Sequence, residues 1–143
     1  MMMIGTYEHR LDKKGRLVLP SKFRQDLGDL IVASVGVEQC ISLYSKDEWE
    51  KLLERFQKMP FFRSKSRDFL RVLLATAHEL PVDTAGRILL PQILKSHASL
   101  DVEVCIIGVG DHLEVWDRDI WDKYRRDVMA NLPSIVEGVE WDQ

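Results

Sequence analysis

Apolar and polar positions alternate over Tyr7 to Leu11 and again over Arg16 to Leu19, the period-two signature of strands buried on one face. Between them, Asp12-Lys13-Lys14-Gly15 has turn chemistry: the Asp can bond its own backbone, and the Gly supplies a positive φ. The pattern predicts a β-hairpin. Pro20 has no N–H for a ladder and ends the second strand. Ser21 reads as the N-cap of a short helix to Leu27, with Gly28 as its stop. Leu30 to Val35 and Cys40 to Tyr44 form a second predicted strand pair around Gly36. Ser45-Lys46-Asp47-Glu48 is a capping box, opening a helix with Trp49, Leu52, Leu53 and Phe56 on one face.

The same plan then recurs. Asp12-Lys13-Lys14-Gly15-Arg16-Leu17-Val18-Leu19-Pro20 returns as Asp83-Thr84-Ala85-Gly86-Arg87-Ile88-Leu89-Leu90-Pro91, with five of nine positions identical. The offset of 71 becomes 72 downstream, where Val32, Gly36, Asp47 and Trp49 match Val104, Gly108, Asp119 and Trp121. The second copy is predicted as a hairpin over Leu80 to Leu90, a short helix from near Gln92, and strands at Val102 to Ile107 and His112 to Trp116. Asp117 then caps a helix carrying Trp121, Tyr124 and Val128. Between the copies, Pro60 to Lys65 reads as linker and Asp68 to Ala77 as helix, and no element is predicted after Pro133. The expected division is a repeat at 5–47, a helical connector at 48–77, a second repeat at 78–119, and a C-terminal helix and tail at 120–143. A ββαββ unit this small cannot cover both sheet faces by itself. The expectation is therefore one α+β body, in which two copies interlock as a pseudo-two-fold barrel with flanking helices.

Composition narrows the classes. The 143 residues are 45% apolar and 30% charged, which argues against a largely disordered chain. No run approaches the roughly 18 apolar residues of a membrane span, and Met1 to Arg10 lacks a signal-peptide layout. Cys40 and Cys105 cannot alone form a disulfide framework or a four-ligand zinc site, so a cytoplasmic location with reduced thiols is expected. The net charge of −3 hides an imbalance. Residues 1–71 hold 14 Lys and Arg against 10 Asp and Glu, whereas 72–143 hold 6 against 13. A basic half is joined to an acidic one.

The doubled Asp-x-x-Gly-Arg turn, each copy followed by an apolar strand and Pro, resembles the bacterial MraZ family across nearly the whole chain. Tyr7-Glu8-His9-Arg10-Leu11-Asp12-Lys13-Lys14-Gly15-Arg16-Leu17 and Leu80-Pro81-Val82-Asp83 carry the resemblance most clearly. It implies two swapped-hairpin domains of the AbrB type packed as an internal pseudo-dimer, a double-split β-barrel. It also implies an octamer-like ring of identical subunits, associated with the nucleoid. The implied function is transcriptional regulation upstream of the division and cell-wall gene cluster, including the protein's own gene. The family motif maps onto Asp12, Gly15, Arg16, Asp83, Gly86 and Arg87. The second motif has Thr84 and Ala85 where the first has two lysines.

Those residues suit double-stranded DNA. The first turn gathers Arg10, Lys13, Lys14 and Arg16, with Lys22 and Arg24 on the next element, and Arg87 marks the second motif. A two-stranded ribbon can enter the major groove, where Arg bonds two acceptors on guanine and Lys meets phosphate or guanine as a point charge. Asp12, Gly15, Asp83 and Gly86 are read as shaping the loops. A head-to-tail ring presents its tips repeatedly in one sense, so short direct repeats in a promoter are the expected target. The Asp12–Arg16 and Asp83–Arg87 pairs have an alternative reading, as clasps that hold each turn.

Other features read as structural. The Trp49 and Trp121 helix faces are core or subunit contacts. Arg63, Lys65, Arg67 and Arg71, beside Phe61 and Phe62, form a solvated face or a second DNA contact. Asp117, Asp119 and Asp122 suit a helix start, and His9, His78, His97 and His112 show no i, i+4 metal pair. No Gly-rich phosphate loop, nucleophile elbow or metal spacing is present, and an Asp beside an Arg is a poor general acid. Neither enzymatic activity, cofactor, metal, small-molecule substrate nor membrane contact is expected. The competing class is an antitoxin-like protein-binding module on the same fold.

Overall fold

The computed structural model describes residues 2–140; the last residues of the expected C-terminal tail, 141–143, lie outside the described residues. The first repeat supplies β1 (Met3–Arg10), β2 (Arg16–Val18), α1 (Arg24–Leu27), β3 (Leu30–Val35), β4 (Ile41–Ser45) and α2 (Lys46–Gln57). A connecting helix, α3 (Ser64–Thr76), leads to β5 (His78–Pro81), β6 (Arg87–Leu89), α4 (Gln92–His97), β7 (Glu103–Gly110), β8 (Leu113–Asp117), α5 (Arg118–Ala130) and α6 (Leu132–Glu137). The strands form an antiparallel six-stranded sheet in the order β1-β7-β8-β4-β3-β5 and a two-stranded ribbon of β2 and β6.

That order corrects the hairpin expectation. Each turn closes, with the Gly15 N–H donating to the Asp12 carbonyl at 2.9 Å and Gly86 to Asp83 at 2.9 Å. Beyond the turn the arms part. β1 pairs over its whole length with β7 of the other repeat, β5 pairs with β3, and β2 pairs with β6. A hairpin folded on itself would leave one apolar face of each repeat in water, whereas exchange between repeats covers it. Leu17 and Ile88, opposite each other in the ribbon, are fully buried beneath it with Met3, Ile31, Leu43, Leu94, Val104 and Leu113. Neither repeat has a separate core.

The outer face of the six-stranded sheet is also covered, which explains why its central strands read as continuous apolar runs. Val32 and Tyr44 pack with Trp49 and Leu73 under α2 and α3. Cys40, Cys105, Ile107 and Trp116 pack under α5, against Ile120 and Trp121. The two helix starts form as expected: Ser45 Oγ accepts from the Glu48 N–H at 3.2 Å, and an Asp117 oxygen accepts from the Ile120 N–H at 3.3 Å.

Four local expectations are revised. β1 starts at Met3 rather than Tyr7, because Met3 is buried in the core. Ser21 makes no cap; it begins a 3-10 turn over Ser21–Phe23, with Phe23 N–H bonded to the Pro20 carbonyl, before α1 starts. α3 begins four residues earlier than expected and absorbs Ser64 and Lys65 from the linker. The tail contains α6, whose Pro lies in its first turn, where a missing N–H costs nothing.

Candidate nucleic-acid interface

Each motif loop is built around its Asp. Asp12 Oδ1 accepts from the backbone N–H groups of Lys14 (2.9 Å) and Arg16 (2.8 Å), while Oδ2 accepts from Arg16 Nε at 2.6 Å. The second loop repeats the arrangement: Asp83 Oδ1 with Ala85 (3.0 Å) and Arg87 (2.9 Å), and Oδ2 with Arg87 Nε at 2.8 Å. These bonds, the backbone N–H of Arg16 or Arg87 foremost, hold both carboxyls below the usual carboxylate range. Gly15 and Gly86 take positive φ values of 79° and 77° to close the turns. The clasp reading therefore holds geometrically, yet it uses only one nitrogen of each guanidinium. Asp12 orients Arg16 rather than neutralising its whole donor face.

The repeats also lock each other's loops. Leu90 N–H donates to the Gly15 carbonyl at 3.2 Å, and Leu19 N–H donates to the Gly86 carbonyl at 2.9 Å. Side chains follow the same exchange. Arg24 lies over Gly86 and donates from Nη2 to the Ala85 carbonyl at 3.0 Å, so it serves the second loop and not the first. Its equivalent at the repeat offset of 71 is Lys95, whose ammonium lies over Gly15. Strand exchange is the cause, because it sets α1 beside the second loop and α4 beside the first. Lys95 is a candidate that residue-type reasoning passed over. The signal was the repeat itself, since Arg24 plus the offset lands on it.

The first loop is thus a composite. Lys13 and Lys14 are exposed on it, Arg16 is fixed by Asp12, and Lys95 reaches in from α4. Lys13, Gly15, Gln92, Lys95, Ser96 and Ser99 line a cleft of about 380 Å³ beside the loop, and Lys14 and Lys95 share a second cleft on its other side. Four cations surround two carboxylates here, Asp12 and Asp101, both of which line the first cleft. At the second loop there are two, Arg24 and Arg87, and Arg24 is already bonded to the loop.

The remaining sequence-named cations lie elsewhere. Arg10 ends β1 and pairs with Glu103 at 3.3 Å, within a mixed-charge network that also joins Arg118 to Glu8 and Glu103. Lys22 places its ammonium 5.4 Å from the Tyr7 ring centre and 5.3 Å from that of Phe23. Arg16 and Arg87 sit on one face of the β2–β6 ribbon, because Arg16 opposes Leu89 and Val18 opposes Arg87 while Leu17 and Ile88 point inward. That outward face presents two guanidinium groups diagonally about exposed Val18 and Leu89. Cys40 and Cys105 are buried, and burial pushes both thiols up, Cys105 to about 11. Among the described residues, no group of three or more His, Cys, Asp or Glu side chains is arranged to hold a metal ion, and no helix is long and apolar enough to cross a membrane.

Comparison with known proteins accords with this architecture. A family described as "MraZ protein, putative antitoxin-like" matches the chain twice, over residues 2–72 and 73–135. A protein of Caldanaerobacter subterraneus subsp. tengcongensis named transcriptional regulator MraZ is 37% identical over 139 residues, covering 97% of each chain. Proteins of the same name from Heliobacterium modesticaldum and Alkaliphilus metalliredigens are each 40% identical, over 95% and 97% of both chains. With both repeats matched and near-complete coverage of such relatives, the chain belongs to the MraZ family.

Proposed function

We propose that this chain is a DNA-binding transcriptional regulator whose principal contact is the first motif loop. The observation that carries this reading is the convergence of Lys13, Lys14, Arg16 and Lys95, drawn from both repeats, on a loop held open by Asp12 and Gly15. The relatives' shared name, transcriptional regulator MraZ, supports it. Arg16 reads a base edge, and the three lysines neutralise phosphates. One such tip makes too few contacts for tight specific binding, so several tips act together in an octamer-like ring of identical subunits. Short direct repeats in the promoter of the division and cell-wall gene cluster, which includes the protein's own gene, are the target. Arg10, Lys22, Arg24 and Arg87 contribute field or loop support more than direct readout.

Fluorescence anisotropy with DNA from upstream of the protein's own gene, against a scrambled duplex at several salt concentrations, tests this. Preference for the native sequence, a steep salt slope and loss of preference in Arg16→Ala with unchanged particle mass are expected. Equal weak binding to both duplexes, with a small basic protein co-purifying, would instead support the antitoxin-like module.

A further inference from the structure

The outward face of the β2–β6 ribbon carries an aliphatic pair that the fold does not use. Leu89 and Val18 hold the same position in the two repeats, at the offset of 71, and are 57% and 38% exposed. Scattered apolar residues on a surface are ordinary, and strand propensity accounts for Val18. It does not account for Leu89, because leucine is not among the β-branched and aromatic residues that strands favour. Packing does not account for it either. Its chain neighbours Ile88 and Leu90 turn inward and supply the buried contacts.

The surroundings of Leu89 are more telling. In the ribbon register it lies directly opposite Arg16, at the usual cross-strand spacing of about 5 Å between Cβ atoms. Asp12 holds that guanidinium through Nε, so its outer nitrogens keep their donors for a partner. On its other side Leu89 borders a cleft of about 490 Å³, where Leu80, Pro81 and Pro91 are the apolar lining and Lys14, Gln92 and Lys95 the polar one. Among the described residues, no Asp or Glu lines this cleft. Cations alone would suit any anion, and an aliphatic patch alone any apolar surface. An aliphatic group between a fixed arginine and two lysines fits the major groove of DNA, where the thymine C5-methyl is the apolar feature among hydrogen-bonding base edges.

We propose that Leu89 determines specificity by packing on the C5-methyl group of a thymine beside the guanine that Arg16 reads. Such readout presupposes the proposed DNA binding and adds to it a base contact that forms no hydrogen bond. Each repeat then supplies one half of the recognition: the polar half comes from β2 of the first and the apolar half from β6 of the second.

Fluorescence anisotropy on the full chain tests this with three duplexes: the native sequence upstream of the protein's own gene, the same sequence with deoxyuridine for every thymine, and a scrambled control. Deoxyuridine removes the methyl group and keeps every hydrogen-bonding atom. Wild type should bind the native duplex at least about fourfold more tightly than the deoxyuridine duplex, as for one buried methyl group. Leu89→Ser should bind both alike, whereas Val18→Ser, on the side of the second loop, should keep the difference. A wild type indifferent to deoxyuridine would overturn the proposal. So would a Leu89→Ser variant that keeps the difference, which would trace it to altered DNA shape, or a Val18→Ser variant that loses it. Preference for native over scrambled DNA without any response to deoxyuridine removes this proposal and leaves the DNA-binding reading intact; no preference in either comparison removes both. If circular dichroism shows that Leu89→Ser fails to fold, Leu89→Ala takes the same comparison.

Discussion

Substituting Gly86 with Ala should be about twice as damaging in the wild-type chain as in an Arg24→Ala background. The φ of Gly86 is 77°. A left-handed conformation costs an L-residue about 1–2 kcal/mol, and the lower entropy of the unfolded Ala chain returns about 0.4–1 kcal/mol. With Arg24 removed, Gly86→Ala should cost only that difference, about 0.5–1 kcal/mol. At Gly86 the Cβ would overlap the Arg24 guanidinium. Arg24 must then leave the Ala85 carbonyl, adding about 1 kcal/mol for an exposed hydrogen bond from a charged donor. Its Nε is buried without a partner, so displacement also returns that group to water and keeps the added cost near the lower end.

Urea unfolding at one fixed protein concentration, which matters if subunits associate, measures each variant. A double-mutant cycle with Arg24→Ala isolates the cause. In that background Gly86→Ala should fall to the backbone cost alone, about 0.5–1 kcal/mol, giving a coupling of about 1 kcal/mol. A coupling below about 0.3 kcal/mol, the usual limit of additivity, would refute the view that the first repeat's arginine supports the second repeat's loop.

Three further outcomes follow from the same geometry. Lys95→Gln should lower the slope of log affinity against log salt by about 0.9, as for one lost phosphate contact, while Lys22→Gln leaves it unchanged; anisotropy titrations read both. Asp12 and Asp83 have carboxyls held below the ordinary value of about 3.9, so their stabilising bonds are fully present above that value and are lost as pH falls through the lower folded value. Thermal melts of Asp12→Asn should therefore lie below wild type at pH 6 and converge with it as the pH drops below about 4. Ser99, at a φ of 51°, holds the position equivalent to Gly28 at the end of α4. Ser99→Gly should be more stable than Ser99→Ala by about 1 kcal/mol, since both lose the hydrogen bond that Gln39 Nε2 donates to Ser99 Oγ at 2.7 Å and only one relieves the backbone.

The repeat and its turn chemistry made most of the fold readable. Asp12 and Gly15 close the loop that their spacing predicts, and Ser45 and Asp117 start their helices where capping chemistry places them. Strand pairing was not readable from the residues alone. Tyr7 to Leu11 alternates in the same way whether its partner is β2 or β7, and turn residues report only that the chain reverses. The site inherited that ambiguity. Arg24 follows the first loop in sequence but serves the second, and Lys95 serves the first from 80 residues beyond Gly15. Tertiary exchange, with no local signature, decides which cations meet.

Fusing the two repeats in one chain releases the two loops from having to be alike. Both keep the residues that the fold requires, an Asp to bind two amides, a Gly to turn and an Arg to clasp the Asp. The positions that the fold leaves open, 13 and 14 against 84 and 85, have diverged to two lysines in one loop and Thr and Ala in the other. The supporting side chain has diverged in step: at the second loop it is an arginine bonded to the loop backbone, and at the first a lysine lying over the glycine. A planar guanidinium spends its donors on a fixed carbonyl, whereas a flexible ammonium remains available to an external phosphate. On the proposed function, one loop holds the barrel and the other meets a polyanion, from a single motif used twice.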